Sequence, residues 1–331
     1  MYPITRLRRN RRYKWLRELV AETSLLPANL ILPIFVIEGR NLKIPIATMP
    51  EVEKLSIDLA LKKAKLAARY GIRAVAIFPV IEPKLKTIDG KEALNSDNLI
   101  CRTIKLFKED NLPIGIIADV ALDPYTTHGH DGLLNENKDD VDNDKTLLLL
   151  CEQAKILAAA GADIIAPSDM MDGRIKAIRS VLDDNKYYNT IILSYAAKYA
   201  SNFYGPFRDA VGSKISFGQS SKKTYQMDYR NVKEALNEVD MDIQEGADMV
   251  MVKPASMYLD IISAIASKFN ISVFGYQTSG EYSMIKYASL ANCMDFNSAM
   301  LESLLSIKRA GAIAIFTYAA IEVAKYLKEI C

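Results

Sequence analysis

Eight short runs of almost entirely apolar residues constrain the fold of this chain more than any other feature. They occupy residues 30–37, 74–80, 114–120, 163–167, 190–195, 249–252, 272–276 and 312–318. A strand that is apolar along its whole length is typically buried on both faces, as in a parallel sheet covered by helices. The runs therefore predict eight buried strands.

The segments between these runs have the apolar spacing of helices. Residues 57–70 and 144–160 both place apolar side chains three and four positions apart. Four helical stretches end in a glycine that leads directly into an apolar run: Gly71, Gly161, Gly246 and Gly311. Eight strands alternating with helices predict an α/β fold, a (β/α)8 TIM barrel. An open doubly wound sheet is the alternative, but the chain has no glycine-rich phosphate loop.

Charge is concentrated at the N-terminus. Residues 1–20 contain seven Lys or Arg and one Glu, a net charge of +6, although the 331-residue chain as a whole carries +2. We expect residues 1–25 to form an extended N-terminal basic arm and residues 26–331 to form the barrel. The arm could bind nucleic acid, target an organelle, contact a partner subunit or remain solvated. No stacking platform or base-reading motif accompanies it, so nucleic acid is not the expected partner.

Cysteine usage and hydropathy indicate the compartment. The four cysteines, at positions 101, 151, 293 and 331, form no Cys-x-x-Cys motif. This argues against a disulfide scaffold and against a thiolate zinc finger, and favours a reducing environment. No apolar stretch reaches the ~18 residues that a membrane span needs. We therefore expect a cytoplasmic protein with no membrane partner.

Two lysines and an aspartate lie at strand ends, where barrel enzymes place their chemistry. Lys253 closes an apolar run, Lys198 follows another, and Asp119 ends a third. Burial lowers the pKa of a lysine, and a second cation nearby lowers it further. A neutral amine attacks a ketone to form a Schiff base. The alternative is that each lysine forms a salt bridge that holds a loop.

A long irregular stretch at 201–229 is expected to be a lid or binding loop. It contains Arg208 and the pair Lys222-Lys223. These cations suit a small carboxylate substrate, which Arg208 could hold in a bidentate manner. An ordinary solvated basic loop is the alternative.

Both histidines lie in a second loop, dense in carboxylates. His128 and His130 occur in a 13-residue segment that also holds Asp119, Asp123 and Asp131. The segment could bind a metal, form a hydrogen-bonded loop or supply a general base.

Several motifs together resemble one known family. They are the segment 119–132, Tyr204-Gly-Pro-Phe-Arg208, Lys223-Thr-Tyr-Gln-Met227, Met251-Val-Lys-Pro-Ala255, Gly275-Tyr-Gln-Thr-Ser-Gly-Glu-Tyr282 and Ser306-Ile-Lys-Arg-Ala-Gly311. In order and spacing they resemble porphobilinogen synthase, also called 5-aminolevulinate dehydratase. The resemblance implies a lyase of tetrapyrrole and heme biosynthesis that condenses two 5-aminolevulinate molecules to porphobilinogen, with loss of two waters. It also implies a TIM barrel whose arm wraps a neighbouring subunit in a homo-oligomer, typically an octamer.

The resemblance assigns roles residue by residue. Lys253 would form a Schiff base with one substrate and Lys198 with the other. Arg208 and Lys223 would hold the carboxylate of the substrate on Lys198. The carboxylate of the substrate on Lys253 would be held by Ser279 and Tyr318. Asp119 would act as an acid/base or orienting group near the amines.

The chain departs from the zinc-dependent members of that family. Where they carry three cysteines, this chain has Ala121, Asp123 and Asp131. We therefore expect no thiolate zinc site, and Mg²⁺ or no metal in the active site, with Asp131 a candidate oxygen ligand. By the same resemblance Glu238, on a predicted helix at 230–245, would bind an allosteric Mg²⁺. A solvated helix glutamate is the alternative.

Three other functions remain open at this point. A Schiff-base aldolase or dehydratase acting on another keto acid would normally need only one of the two lysines. A nucleic-acid-binding protein would use the basic arm. A non-catalytic barrel would have lost catalytic residues, whereas this chain keeps the full set.

Overall fold

The computed structural model describes residues 1–212 and 221–330. Its ten strands are β1 Leu30–Ile37, β2 Lys43–Pro45, β3 Glu53–Ser56, β4 Ala74–Pro79, β5 Gly115–Val120, β6 Ile164–Pro167, β7 Ile191–Lys198, β8 Met249–Lys253, β9 Ser272–Tyr276 and β10 Ala314–Phe316. Strands β1 and β4 to β10 are parallel neighbours in sequence order, and β10 pairs with β1 to close the ring. The predicted (β/α)8 barrel is confirmed. The hairpin of β2 and β3 adds to the edge of β1.

Helices cover the outside of the barrel. They are α1 Lys14–Leu19, α2 Ile57–Arg69, α3 Leu99–Glu109, α4 Asn143–Ala160, α5 Arg174–Asp184, α6 Gly205–Val211, α7 Lys233–Gln244, α8 Leu259–Lys268, α9 Ser279–Leu290, α10 Phe296–Arg309 and α11 Ala320–Ile330. Among these described helices, none is long and apolar enough to span a bilayer. Gly161 ends α4 with a φ of +105°, a left-handed conformation that glycine adopts without strain.

The strands form the core because their side chains are apolar on both faces. All eight residues of β1 are buried, and four of the five residues of β8 are buried. Strand β7 is longer than the apolar run at 190–195 predicts and continues to Lys198. Its pairing with β8 shifts register between Ser194 and Ala197. Lys198 therefore lies within a barrel strand and not in the loop that follows.

The stretch 201–229 is more regular than predicted. The short helix α6 begins at Gly205 with Pro206 in its first turn, and Gly212 ends it in the left-handed conformation, with a φ of +66°. Single turns of 3-10 helix lie at Asn202–Tyr204 and Lys222–Thr224. The prediction of an irregular loop is thus wrong for these elements. Residues 213–220 of the predicted lid lie outside the described part of the chain.

The basic arm is largely solvent-exposed in the isolated chain. It contains a 3-10 turn at Leu7–Arg11 and the helix α1. Trp15 is 61% exposed and Leu19 is 72% exposed. Large apolar side chains are rarely left this accessible over a contiguous segment without a partner surface.

Candidate active site

A cavity of about 540 Å³ lies at the carboxyl ends of the barrel strands. Three carboxylates, four cations and several aromatic rings line it. The charged members are Asp119, Asp123, Asp131, Lys198, Arg208, Lys222 and Lys253. The strand ends thus bring together residues that are up to 134 positions apart in the sequence, as the barrel topology predicts.

Lys198 and Lys253 are direct neighbours across the sheet. They are register partners in the parallel pair of β7 and β8. Both are buried, with 6% and 8% of their surface exposed, and both line the cavity. The structure therefore brings the two predicted amines into one site.

Lys253 has an apolar and aromatic environment. Its Nζ lies 4.4 Å from the ring centroid of Tyr276 and 5.0 to 5.4 Å from those of Tyr195, Tyr204 and Phe207. Burial, and after it the charge of the neighbouring Lys198, lower the pKa of Lys253 to about 7, although Asp119 opposes the shift. An amine with this pKa is substantially neutral near pH 7 and able to attack a ketone.

Lys198 differs because it has a carboxylate partner. Its Nζ donates to Asp131 at 3.1 Å and to the backbone carbonyl of Ser168. Burial alone would raise the pKa of Asp131, but Lys198 and Lys222 outweigh burial and hold that pKa below its usual range. The hydroxyl of Tyr225 donates to the same carboxylate at 2.9 Å. Asp131 is thus an ionised anchor for the two cations.

Asp119, at the end of β5, is the second titratable group beside Lys253. Asp119 is half-buried, and its Oδ1 is buried and has no hydrogen-bond partner among the described residues. Burial raises the pKa of Asp119 to about 7, although Lys253 opposes the shift. A carboxyl group with this pKa can both accept and donate a proton near neutrality.

One of the two cations that line the cavity beside the catalytic lysines is not the residue named from the sequence. Arg208, on α6, lines the cavity as predicted. Lys222 also lines it, and its Nζ lies 2.7 Å from Asp131 and 3.5 Å from Asp123. Lys223 is exposed and lines the cavities next to the main one. The geometry therefore favours Lys222 where the sequence analysis named Lys223.

Ser279 and Tyr318 also line the cavity. Ser279 begins α9, and its Oγ accepts a hydrogen bond from the backbone N–H of Phe207 at 2.9 Å. The hydroxyl of Tyr318 lies 3.1 Å from that of Tyr276. Both hydroxyl groups line the cavity, as the sequence analysis predicts.

The histidine loop is held by hydrogen bonds. Nε2 of His128 lies 3.1 Å from the carbonyl oxygen of Ile88, and Nδ1 of His130 lies 3.1 Å from the hydroxyl of Tyr225. Burial lowers the pKa of both histidines, that of His130 to about 4. Within residues 1–212 and 221–330 no cluster of three or more His, Cys, Asp or Glu is arranged to hold a metal. Both oxygens of Asp131, the candidate ligand, face cations instead.

Glu238 lies apart from this cavity, on α7. It lines a separate groove together with Asp140, Asp172 and Glu234, and burial raises its pKa. Behind the groove, Arg174 forms a fully buried ion pair with Asp242 at 3.1 Å. The structure thus places Glu238 on a helix, as predicted, at an acidic groove.

Sequence reasoning missed three contributors. Lys222 was visible beside Lys223, but sequence alone did not show which of two adjacent lysines points inward. Tyr225 was part of a quoted motif, yet its hydroxyl contact with Asp131 spans 94 positions. The backbone carbonyl of Ser168 could not be identified from the sequence, because every residue has a backbone carbonyl.

Fold and site together define a class of protein. Two lysine amines that are neighbours on barrel strands, in a cavity also lined by cations and hydroxyl groups, form the site of a Schiff-base lyase for carboxylate-bearing ketones. Comparison with known proteins gives the family. The family model for delta-aminolevulinic acid dehydratase matches residues 4–326, and the chain belongs to that family.

Individual relatives agree with this assignment. The delta-aminolevulinic acid dehydratase of Bradyrhizobium diazoefficiens is 48% identical over 98% of this chain and 91% of its own length. That of Methanothermus sociabilis is 47% identical over 97% of this chain and 98% of its own. The crystal structure of the Toxoplasma gondii enzyme, in complex with the reaction product porphobilinogen, superposes with a TM-score of 0.96. It is 45% identical and covers 99% of this chain and 92% of its own.

Proposed function

We propose that this chain condenses two molecules of 5-aminolevulinate to porphobilinogen and two waters, through imines on Lys253 and Lys198. The observation that carries the proposal is the register pairing of two buried lysines in one cavity. An aldolase acting on one keto acid would need only one such amine. The second amine, and the presence of both cations and hydroxyl groups in the cavity lining, favour a reaction between two keto acids.

We assign the first imine to Lys253, because burial and the charge of Lys198 lower its pKa to about 7. Its nitrogen attacks the ketone carbon of one substrate to give a carbinolamine, which loses the ketone oxygen as water and forms the imine. The ring faces around it stabilise a free ammonium less strongly than water does, because its nitrogen is desolvated there. They do attract the positive charge of a protonated imine through their π faces.

Lys198 attacks the second ketone as a neutral amine. Asp131 holds its ammonium, but a carboxylate with a lowered pKa is a weak base. Asp119, whose pKa burial raises, is the better proton acceptor near neutrality. We assign to Asp119 the exchange of protons with the amines, and to Asp131 the orientation of Lys198.

The carboxylates of the two substrates need separate partners. Arg208 and Lys222 supply cations on the wall beside Lys198, where we place the carboxylate of the second substrate. Ser279 and Tyr318 supply hydroxyl donors for the first. Holding both carboxylates fixes the ketone carbons near the amines and near each other, which reduces the entropic cost of joining two molecules.

The product follows from the atoms available. A carbon next to the imine on Lys198 loses a proton to give an enamine, and that carbon bonds to the imine carbon on Lys253. The amino nitrogen of the substrate on Lys253 then attacks the former ketone carbon on Lys198, and the C–N bond to Lys198 breaks. Loss of a ring proton breaks the C–N bond to Lys253 and leaves the pyrrole. The two ketone oxygens leave as the two waters. Both lysines are released in these steps, so neither is consumed.

We also propose that the chain assembles into a homo-octamer through its arm. The exposed Trp15 and Leu19, with the +6 charge of residues 1–20, support an assembly contact. We propose no nucleic-acid role for the arm.

A bound Mg²⁺ is proposed at the acidic groove and not in the catalytic cavity. Glu238 fits the ion because a partly buried carboxylate with a raised pKa gains most from a nearby cation. Asp172 and Glu234 line the same groove but do not form a three-carboxylate metal site with Glu238 in the described residues, so Glu238 would hold the ion together with several retained waters. When bound, the ion would supply positive charge that keeps Glu238 ionised. Ala121, Asp123 and Asp131 offer no thiolate for zinc.

Reductive trapping tests the imine. Treatment with 5-aminolevulinate and sodium borohydride should attach the substrate covalently, chiefly at Lys253, as peptide mass spectrometry would show. Lys253→Arg keeps the positive charge but cannot form the imine, so it should give no adduct there and no turnover. Lys268→Ala, at an exposed lysine on α8, is the control and should behave as the parent. A fully active Lys253→Arg variant would remove the mechanism.

A further inference from the structure

One buried lysine has no part in the mechanism above. Lys86 follows the 3-10 turn Pro83–Leu85 at the carboxyl end of β4 and is only 9% exposed. Its Nζ lies 3.4 Å from the carbonyl oxygen of Val211 and 3.4 Å from that of Gly212. The contact joins segments that are 125 positions apart in the chain. Burying a lysine costs free energy, so its contacts call for a specific role.

Those two carbonyls end the helix that carries Arg208. The last carbonyls of a helix have no partner within the helix, and a cation placed there is favourable. The N–H of Gly212 bonds back to the carbonyl of Arg208 itself. The ammonium of Lys86 therefore holds the same final turn of α6 that fixes the backbone of Arg208.

The backbone beside Lys86 is rigidly attached to the acidic side of the cavity. The N–H of Thr87 bonds to the carbonyl of Tyr125 at 3.1 Å, and the N–H of Thr127 bonds to the carbonyl of Thr87 at 3.0 Å. The loop they pair with is the one that carries Asp123 and Asp131. Burial lowers the pKa of Lys86, and the charge of Asp123 opposes this. Lys86 thus connects the carboxylate loop to the helix of the cation clamp.

The other end of α6 has its own attachments. The N–H of Phe207 bonds to Ser279, and its ring packs on those of Phe35 and Phe78 at centroid distances of 5.5 and 5.4 Å. Removing the charge of Lys86 would therefore free the last turn while the start of the helix remains docked.

We propose that Lys86 is a positioning residue that fixes the guanidinium of Arg208 for the carboxylate of the second substrate. The inference rests on the proposed function, because it takes Arg208 as the carboxylate clamp. Lys86 itself touches no substrate in this scheme. Its effect should fall on binding of the second substrate and leave imine formation at Lys253 intact.

Steady-state kinetics of Lys86→Met are the first test. Loss of a charge-assisted contact should raise KM for 5-aminolevulinate about tenfold, with kcat within about twofold of the parent. Lys86→Arg, which keeps a cation at the helix end, should restore most of the loss. Lys286→Met is the matched control: this lysine is 7% exposed and paired with Glu51 at 2.5 Å, so it tests the cost of losing any buried lysine. It should leave KM unchanged.

Site-resolved trapping is the second test. In Lys86→Met at subsaturating substrate, borohydride adducts should persist at Lys253 and fall about tenfold at Lys198. Equal loss at both lysines, or unchanged KM, would overturn the role of Lys86. If Lys86→Met does not fold, Lys86→Gln, which keeps a donor without the charge, takes its place with the same criteria. A parent enzyme that forms no porphobilinogen would instead refute the proposed function, so the two failures are distinguishable.

Discussion

The pKa of Lys253 should move upward when Lys198 loses its charge. An ordinary lysine, with a pKa of 10.5, is neutral in about one molecule in 3,000 at pH 7, whereas a pKa of about 7 makes half of the amines neutral. Adduct formation at Lys253, measured with 5-aminolevulinate and cyanoborohydride, should therefore rise with pH and be half-maximal near pH 7. Above that pH the neutral amine predominates and the rate levels off.

The size of the Lys198 effect follows from the strand register. Register partners on adjacent strands lie about 4.8 Å apart at Cα, which places the amines roughly 6 Å apart. At an effective dielectric constant of about 20 the repulsion is about 3 kcal/mol, or about two pKa units. In Lys198→Met we expect the midpoint at Lys253 to rise by one to two units. The neutral fraction at pH 7, and with it adduct formation, should then fall about fivefold to fiftyfold.

Asp119→Asn should shift the pKa of Lys253 in the opposite direction. Its carboxylate raises the pKa of Lys253, so its removal should shift the midpoint for Lys253 adducts below that of the parent. Lys268→Met changes an exposed charge on α8 and should leave the midpoint in place. A downward shift in Lys198→Met, or no shift in either cavity variant, would show that the two amines are not electrostatically coupled.

Three further outcomes are expected. Arg208→Ala and Lys222→Met should each raise KM, because each variant loses about 2 kcal/mol of substrate binding, whereas Lys223→Met should leave KM unchanged. Equal effects of Lys222→Met and Lys223→Met on KM in steady-state assays would refute the assignment of Lys222 to the cavity. Asp242→Asn should lower the free energy of unfolding in urea by about 3 kcal/mol or more, because a buried guanidinium loses its partner; a loss under 1 kcal/mol would contradict that. Glu238→Ala should abolish the rise in activity and octamer fraction that added Mg²⁺ gives the parent; a variant that responds normally places the ion elsewhere.

The barrel could be predicted from the sequence because strands that are buried on both faces consist almost entirely of apolar residues. All eight apolar runs became strands, and the glycines at their entrances, such as Gly161, end helices in the left-handed conformation. The lysines were predictable for the same reason, since a charge that follows such a run stands out. Lys198 was placed after its strand because Ser194 ends the apolar run, although β7 continues through a register shift.

The structure differs from the sequence predictions at places where the neighbouring residues in the sequence carry little information about the fold. A seven-residue helix such as α6 is too short for a helical repeat to be recognised, and its Gly-Pro start reads as a turn. Which of Lys222 and Lys223 faces inward depends on Asp131, a partner about 90 positions away. The contact of Lys86 with α6 has no sequence signal, because it depends on where two loops meet in space.

The central claim concerns the reaction, and product formation tests it most directly. Purified protein, incubated with 5-aminolevulinate alone, should release one porphobilinogen for every two substrate molecules consumed, as quantified by mass spectrometry. Lys253→Arg, prepared and folded in the same way, should release none. Consumption of substrate with no porphobilinogen, or equal product from the variant, would contradict the account of a two-imine condensation.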